Sequence, residues 1–196
     1  IGIPGSITNF AQSFGMALLN SSLAAYDANK VAAMGITQKI YSIVILVIVG
    51  FAFGAQPLIG YNYGAKNWQR LKDILRFDTL VLVAYAIIVG GLLIIFAKSV
   101  NALFMNQASI ISAGSYMLIA TIITTPFVGI ILVYTTVFQS IGNAWGAFVM
   151  AITRQGIIYF IVLEILKSTL GYHGIVWSQA ASDILTWIIG YFMFKK

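Results

Sequence analysis

The sequence predicts an all-α polytopic membrane protein with six transmembrane helices, and three observations carry that reading. Sixty per cent of the 196 residues are apolar and 8% are charged, at a mean hydropathy of +0.95, which is more apolar material than a soluble domain of this size places in one core. Charge clusters at Asp27 to Lys39, Lys66 to Asp78, Lys98, Arg154 to Lys167 and the terminal Lys195-Lys196, with Asp183 standing alone in an apolar stretch. The 55 residues between Lys98 and Arg154 carry none, enough for two crossings, since about 20 residues at a 1.5 Å rise cover roughly 30 Å of hydrocarbon.

The expected spans cover residues 2–25, 33–58, 79–97, 112–138, 145–166 and 175–194. In the first, Asn9, Gln12, Met16 and Asn20 fall within about 80° of one another at 100° per residue, one polar stripe on an apolar helix. Unsatisfied amides facing lipid cost several kcal/mol each, so the stripe lines either a cavity or an interhelical contact. Tyr26, Asp27, Asn29 and Lys30 read as an extracellular turn. The second span contains a Val/Ile-rich run, Ile43 to Val49, but lies in an apolar stretch too long for a barrel strand and lacks strict alternation. Lys39 stands near its outer start, placed to snorkel outward or to enter an outward-open cavity. Gln56 and Pro57 sit where this helix is expected to leave the apolar core, and the proline ring frees a backbone carbonyl for a side chain or water.

The stretch 65–78 is expected as an amphipathic cytoplasmic loop on the inner surface, or an ordinary solvated linker helix, after which the third span begins. On the fourth span Tyr116, Ala120, Phe127, Tyr134 and Phe138 share one face, either an aromatic wall for a lipophilic cation or ordinary packing. Pro126 bends this helix, and Thr124 and Thr125 are placed to satisfy the released carbonyls at a hinge or a static kink. Arg154 on the fifth span and Asp183 on the sixth lie about 13 and 17 Å from the inner ends of their helices at a 1.5 Å rise. That match in depth suggests a contact, direct or through water; a proton-carrying or substrate-binding Asp183, and solvation from the inner helix ends, are the alternatives. Glu164 and Lys167 are spaced for a surface pair.

Six crossings put the basic Lys66, Arg70, Lys72, Arg76, Lys195 and Lys196 on one side, so the positive-inside rule predicts that both termini are cytoplasmic. The formal charge of +6 thus reports topology, and no nucleic-acid partner is expected. With no cysteine and one histidine, His173, disulfides, thiolate metal sites and histidine metal clusters are excluded and no cofactor is expected. There is no nucleophile–base pair or phosphate loop, so an enzyme is not expected.

Gln56-Pro57, Gly60-Tyr61-Asn62-Tyr63-Gly64-Ala65 and the basic stretch after them resemble the end of the eighth helix of multidrug and toxin extrusion (MATE) transporters. Gly2-Ile3-Pro4, Ala32-Ala33-Met34-Gly35, Phe138 to Asn143, Arg154-Gln155-Gly156 and Ser182 to Leu185 extend the likeness over essentially the whole chain. It implies a fold of twelve helices in two six-helix lobes around a central cavity, of which this chain is the C-terminal lobe. An N-terminal lobe is then expected before Ile1. The implied function is export of organic, often cationic and lipophilic, compounds across the cell membrane by H⁺ or Na⁺ antiport. Asn9, Gln12, Met16, Asn20, Tyr116, Phe127 and Tyr134 become cavity candidates, and Gln56, Pro57, Tyr61, Asn62 and Pro126 gating candidates. One departure matters: some members hold a coupling cation on acidic residues of the first and fourth helices of this lobe, and here those helices have no Asp or Glu. Gln12 stands near such a position, and an amide takes up no proton near neutral pH. The coupling ion is therefore expected mainly in the other lobe. A lipid-linked precursor flippase, with a cationic cavity, and a non-transporting scaffold are the rival readings.

Overall fold

The computed structural model of the chain describes residues 2–195, with the side chains of Phe10, 12–154 and 156–195. Among the described residues there are ten helices and no strand: α1 (Gly2–Ala24), α2 (Ala28–Gly54), α3 (Gln56–Gly64), α4 (Trp68–Ile95), α5 (Ala97–Ala102), α6 (Ala108–Ile122), α7 (Thr125–Ser140), α8 (Ala144–Gln155), α9 (Ile157–Leu170) and α10 (Tyr172–Lys195). They form six rods, because α2 runs into α3, α4 into α5, α6 into α7 and α8 into α9 across short breaks.

Three rods among the described residues are long and apolar enough to cross a membrane, Ala28–Gly64, Trp68–Ile95 and Ala144–Leu170. The α6–α7 rod makes a fourth if its two parts, bent by 43°, count as one crossing. Helices α1 and α10 have the length of a crossing, at 23 and 24 residues, but carry the polar residues noted above. The six-crossing topology depends on counting them.

Pro57 and Pro126 stand in the first turns of α3 and α7, where a missing N–H leaves no helical hydrogen bond unmade. The second span therefore does not end at Leu58; helix resumes at Gln56 and runs to Gly64. The expected loop 65–78 is likewise helical from Trp68 onward. Asn67 caps it by accepting from the Arg70 N–H at 3.3 Å, and no Gly or Pro interrupts the sequence until Gly90. The break at Gly156 has no proline. A Cβ there would lie 2.5 Å from the Ile152 carbonyl oxygen, so only glycine fits the backbone. Two turns on one side of the bundle close alike: Lys66 (φ 56°) precedes the Asn67 cap, and Gly142 (φ 73°) precedes Asn143, which accepts from the Gly146 N–H at 2.9 Å.

The α6–α7 rod is the centre of the lobe, with Met117, Leu118, Ala120, Ile122, Val128 and Ile131 buried. Helices α2 and α4 pack on it through Val44, Ile48, Leu82 and Ala86, and α8 and α10 through Met150, Trp187 and Met193. In lipid, apolar burial between helices brings little gain, so close packing and polar links carry the assembly. Gly129 lets α4 approach until a Cβ would be 3.3 Å from that of Leu82. The Thr37 hydroxyl donates to the Gly114 carbonyl at 3.2 Å, joining α2 to α6.

Candidate functional site

Arg154 occupies the last turn of α8, where the unpaired carbonyls of a helix end favour a cation, and the Gly156 break terminates the helix immediately after it. Its Nε lies 3.3 Å from Asp183 Oδ1 on α10, so the pair anticipated from their depths is direct. Asp183 is 0% exposed and the Arg154 side chain 12%. An ion pair this far from water is tolerated only when its remaining lone pairs and protons are satisfied. They are met from several elements. Gln179 Nε2, one turn earlier on α10, donates to Oδ1 at 3.2 Å, and the Thr124 hydroxyl donates to Oδ2 at 3.1 Å. Arg154 Nη2 donates to the Tyr41 hydroxyl of α2 at 3.1 Å, and Ser182 Oγ donates to the Arg154 carbonyl at 3.2 Å. Thr124 is the cap residue of α7, within the bend of the central rod. One carboxylate thus ties α2, α8 and α10 to the place where the α6–α7 rod changes direction.

A cavity of about 240 Å³ opens over this cluster, lined by Gln12 and Met16 of α1, Gln38 and Tyr41 of α2, Arg154 and Gln179. Two members of the polar stripe therefore face a cavity. Asn20, a helical turn further along, is half-buried and lies outside this lining, and the side chain of Asn9 lies outside the described residues. Amides, a phenol and a thioether line the space with apolar groups such as Leu19 and Ile45, a surface able to hydrogen-bond and to make dispersive contact.

The aromatic face of the fourth span is placed against α10 and outside this lining. Tyr116 Oη accepts from Trp177 Nε1 at 2.8 Å and lies 2.8 Å from His173 Nδ1. The Phe127 ring centroid is 5.1 Å from that of Trp187, and Tyr134 stacks on Phe194 at 4.7 Å. Of the gating candidates, Tyr61 is exposed, while Asn62 is buried with its amide donating to the Leu58 carbonyl at 2.8 Å. Pro57 is exposed at the start of α3, and the Gln56 carbonyl accepts from Ser140 Oγ of α7 at 3.3 Å. Pro126 follows the bend that Thr124 and Asp183 hold. The Glu164–Lys167 surface pair forms at 3.8 Å. Sequence reasoning missed Tyr41 and Gln38, polar groups three residues apart on one face of an apolar span; that spacing was the available signal.

A profile described as MatE matches residues 4–166. The chain belongs to the MatE family. The multidrug export protein MepA of Staphylococcus aureus (strain N315) is 30% identical over 187 residues, and that of Staphylococcus saprophyticus subsp. saprophyticus is 28% identical over 185. Each match takes in 94% of this chain and 41% of the relative, so this MatE chain spans about two-fifths of the length of those relatives. Among solved structures, an outward-facing multidrug resistance MATE family transporter of the MOP superfamily superposes with a TM-score of 0.90 at 22% identity, covering 98% of this chain and 44% of that one. A MOP superfamily transporter from Pyrococcus furiosus Vc1 gives the same figures. These likenesses show that the six rods have the architecture of one part of a MATE-type membrane transporter fold.

Proposed function

We propose that this MatE chain is the C-terminal lobe of a secondary active exporter of organic, often cationic, compounds, working by antiport with H⁺ or Na⁺ at the cell membrane. The observation that carries the reading is the cavity over the Arg154–Asp183 cluster, lined by Gln12, Met16, Gln38 and Tyr41. Its volume of about 240 Å³ is below the roughly 300–1000 Å³ of a complete small-molecule pocket, as suits a half-site facing a second lobe. Arg154, the charged side chain among its described lining residues, is already neutralised by Asp183. That leaves the space open to neutral and cationic molecules and weighs against a flippase for phosphate-bearing lipids. The multidrug export relatives support the substrate class by analogy.

In this reading the N-terminal lobe supplies the opposite cavity wall and most of the ion site, because Gln12 offers an amide where a titrating acid would be needed. With six crossings both ends of the chain lie on one side, and the basic residues of that side make it the cytoplasm in this reading. The bend of the central rod, which Thr124 and Arg154 hold through their hydrogen bonds to Asp183, is then kept fixed while the two lobes move against one another between outward and inward access. The test is accumulation of a fluorescent organic cation in cells making the complete protein, with and without collapse of each ion gradient. Accumulation below that of empty cells, restored when one gradient is removed, is the expected result and names the ion. Accumulation equal to empty cells, with membrane insertion verified, overturns the proposal.

A further inference from the structure

The basic residues at the start of α4 are arranged more closely than topology requires. A positive side needs cations somewhere on that side, and nothing in that rule places two of them on one helix face. At 100° per residue Lys72, Arg76, Leu80, Val83 and Ile87 fall within about 80° of one another. Lys72 and Arg76 are exposed, and so are Leu80 and Ile87, at 61% and 59%. This face therefore carries two cations at its N-terminal end and uncovered hydrocarbon along the rest. From Arg76 to Ile87 the helical rise covers about 16 Å, half of the roughly 30 Å apolar thickness of a bilayer and so the depth of one leaflet. Trp68, one turn before Lys72, packs edge-to-face on Tyr63 with centroids 5.6 Å apart, and these are residue types that settle at the headgroup level.

Neither cation is answered within the protein. The ion pairs among the described residues are Arg154–Asp183 and Glu164–Lys167, which leaves Lys72 and Arg76 without a carboxylate. Side chains at i and i+4 have Cβ atoms about 5–6 Å apart, close enough for both cations to reach one phosphate. Asp73 projects about 60° beyond Arg76 around the helix and Arg70 about 120° beyond it, so the carboxylate divides the basic turn in two. Arg70 belongs to the far side, where it lines with Asp78 a separate cavity between α2, α3 and α4. We propose that the Lys72–Arg76 face holds an anionic phospholipid of the phosphatidylglycerol type, drawn from the leaflet that the start of α4 enters. The two cations clasp its phosphate, and Leu80, Val83 and Ile87 lie along an acyl chain. A zwitterionic headgroup would bring its ammonium to two like charges, which ranks it below a headgroup whose phosphate is the sole charge. The site does not depend on what the protein exports.

The experiment is native mass spectrometry of the complete protein exposed to an equal mixture of phosphatidylglycerol, phosphatidylethanolamine and phosphatidylcholine. The expected result is preferential retention of phosphatidylglycerol. Lys72→Gln and Arg76→Gln should each lower that retention about fivefold, the equivalent of the roughly 1 kcal/mol that one basic residue contributes beside an anionic surface. Arg70→Gln removes the same charge from the same turn and should leave retention unchanged. All three side chains are exposed and glutamine is a good helix former, so melting temperatures equal to the parent's certify folding. Equal retention of the three lipids overturns the proposal, as does retention of none, which is what another protein segment covering this face would give. Equal losses from Arg70→Gln and Arg76→Gln overturn it too, being the mark of a diffuse attraction to the whole basic turn. Displacement of the lipid by an equal concentration of glycerol phosphate, which has the headgroup chemistry without acyl chains, would overturn the role given to Leu80, Val83 and Ile87.

Discussion

Asp183 and Asp78 are removed from solvent to the same extent, at 0% and 1% exposure, and their surroundings are opposite. Asp183 receives hydrogen bonds from Arg154, Gln179 and Thr124, donors on three helices or their caps. Asp78 receives none. Burial alone therefore says little about what a membrane carboxylate does. A fully answered one works as a structural tie, and its charge serves to fix the geometry of the helices that answer it. An unanswered one carries the cost of its burial without that return.

The comparison is broken most severely by removing one side of the ion pair. Asp183→Ala leaves Arg154 buried without its counter-charge and should cost about 3–5 kcal/mol of stability, read as a fall in melting temperature in detergent. The same measurement on Asp78→Ala should show no comparable loss; equal losses would mean that Asp78 has partners. Tyr41→Phe removes only the hydroxyl that accepts from Arg154 and should cost about 1.5–3 kcal/mol, as for a hydrogen bond to a charged group. A melting temperature unchanged in that variant would place the Arg154–Tyr41 contact outside the working structure.

Tyr134→Ala, which deletes a ring stacked on Phe194, should lower stability by about 0.5–1.5 kcal/mol beyond the area it uncovers and reduce membrane abundance. Gln12→Ala should leave abundance unchanged while altering which organic cations are excluded from cells, because Gln12 lines the cavity and makes no packing contact of that kind. The reverse pattern would move the substrate wall from α1 to α7. The smallest effect is expected from Asp78→Asn: no change in melting temperature, or a gain of up to about 1 kcal/mol from removing an unanswered charge.

Much of the lobe could be read from the chain. Uncharged stretches and loop charges located the six rods, and the prolines at 57 and 126 located two of their breaks. The depths of Arg154 and Asp183 could be compared because helical rise converts residue number into distance. Tyr41 could not be added to that pair, since it lies 113 residues from Arg154 and only the packing of α2 beside α8 brings its phenol within reach. The Gly156 break also escaped notice. Glycine is common in membrane helices, and what distinguishes this one is a backbone path that becomes visible only in three dimensions. The stretch 65–78 reads as an amphipathic surface loop or a solvated linker helix, and neither shows that the helix beginning at Trp68 carries Asp78 into the packed part of the lobe.

Sequence by itself determined the solvent of this protein, its helical class, the number of rods and the family, because hydropathy, charge placement and local motifs are properties of adjacent residues. Tertiary structure decided which polar groups answer one another, which way the aromatic face of α7 points, and which cavity each carboxylate adjoins. Those are matters of rotation about helix axes and of bend angles such as the 43° between α6 and α7, where a few degrees at a break move a distant side chain by several ångströms. No local pattern encodes that sum.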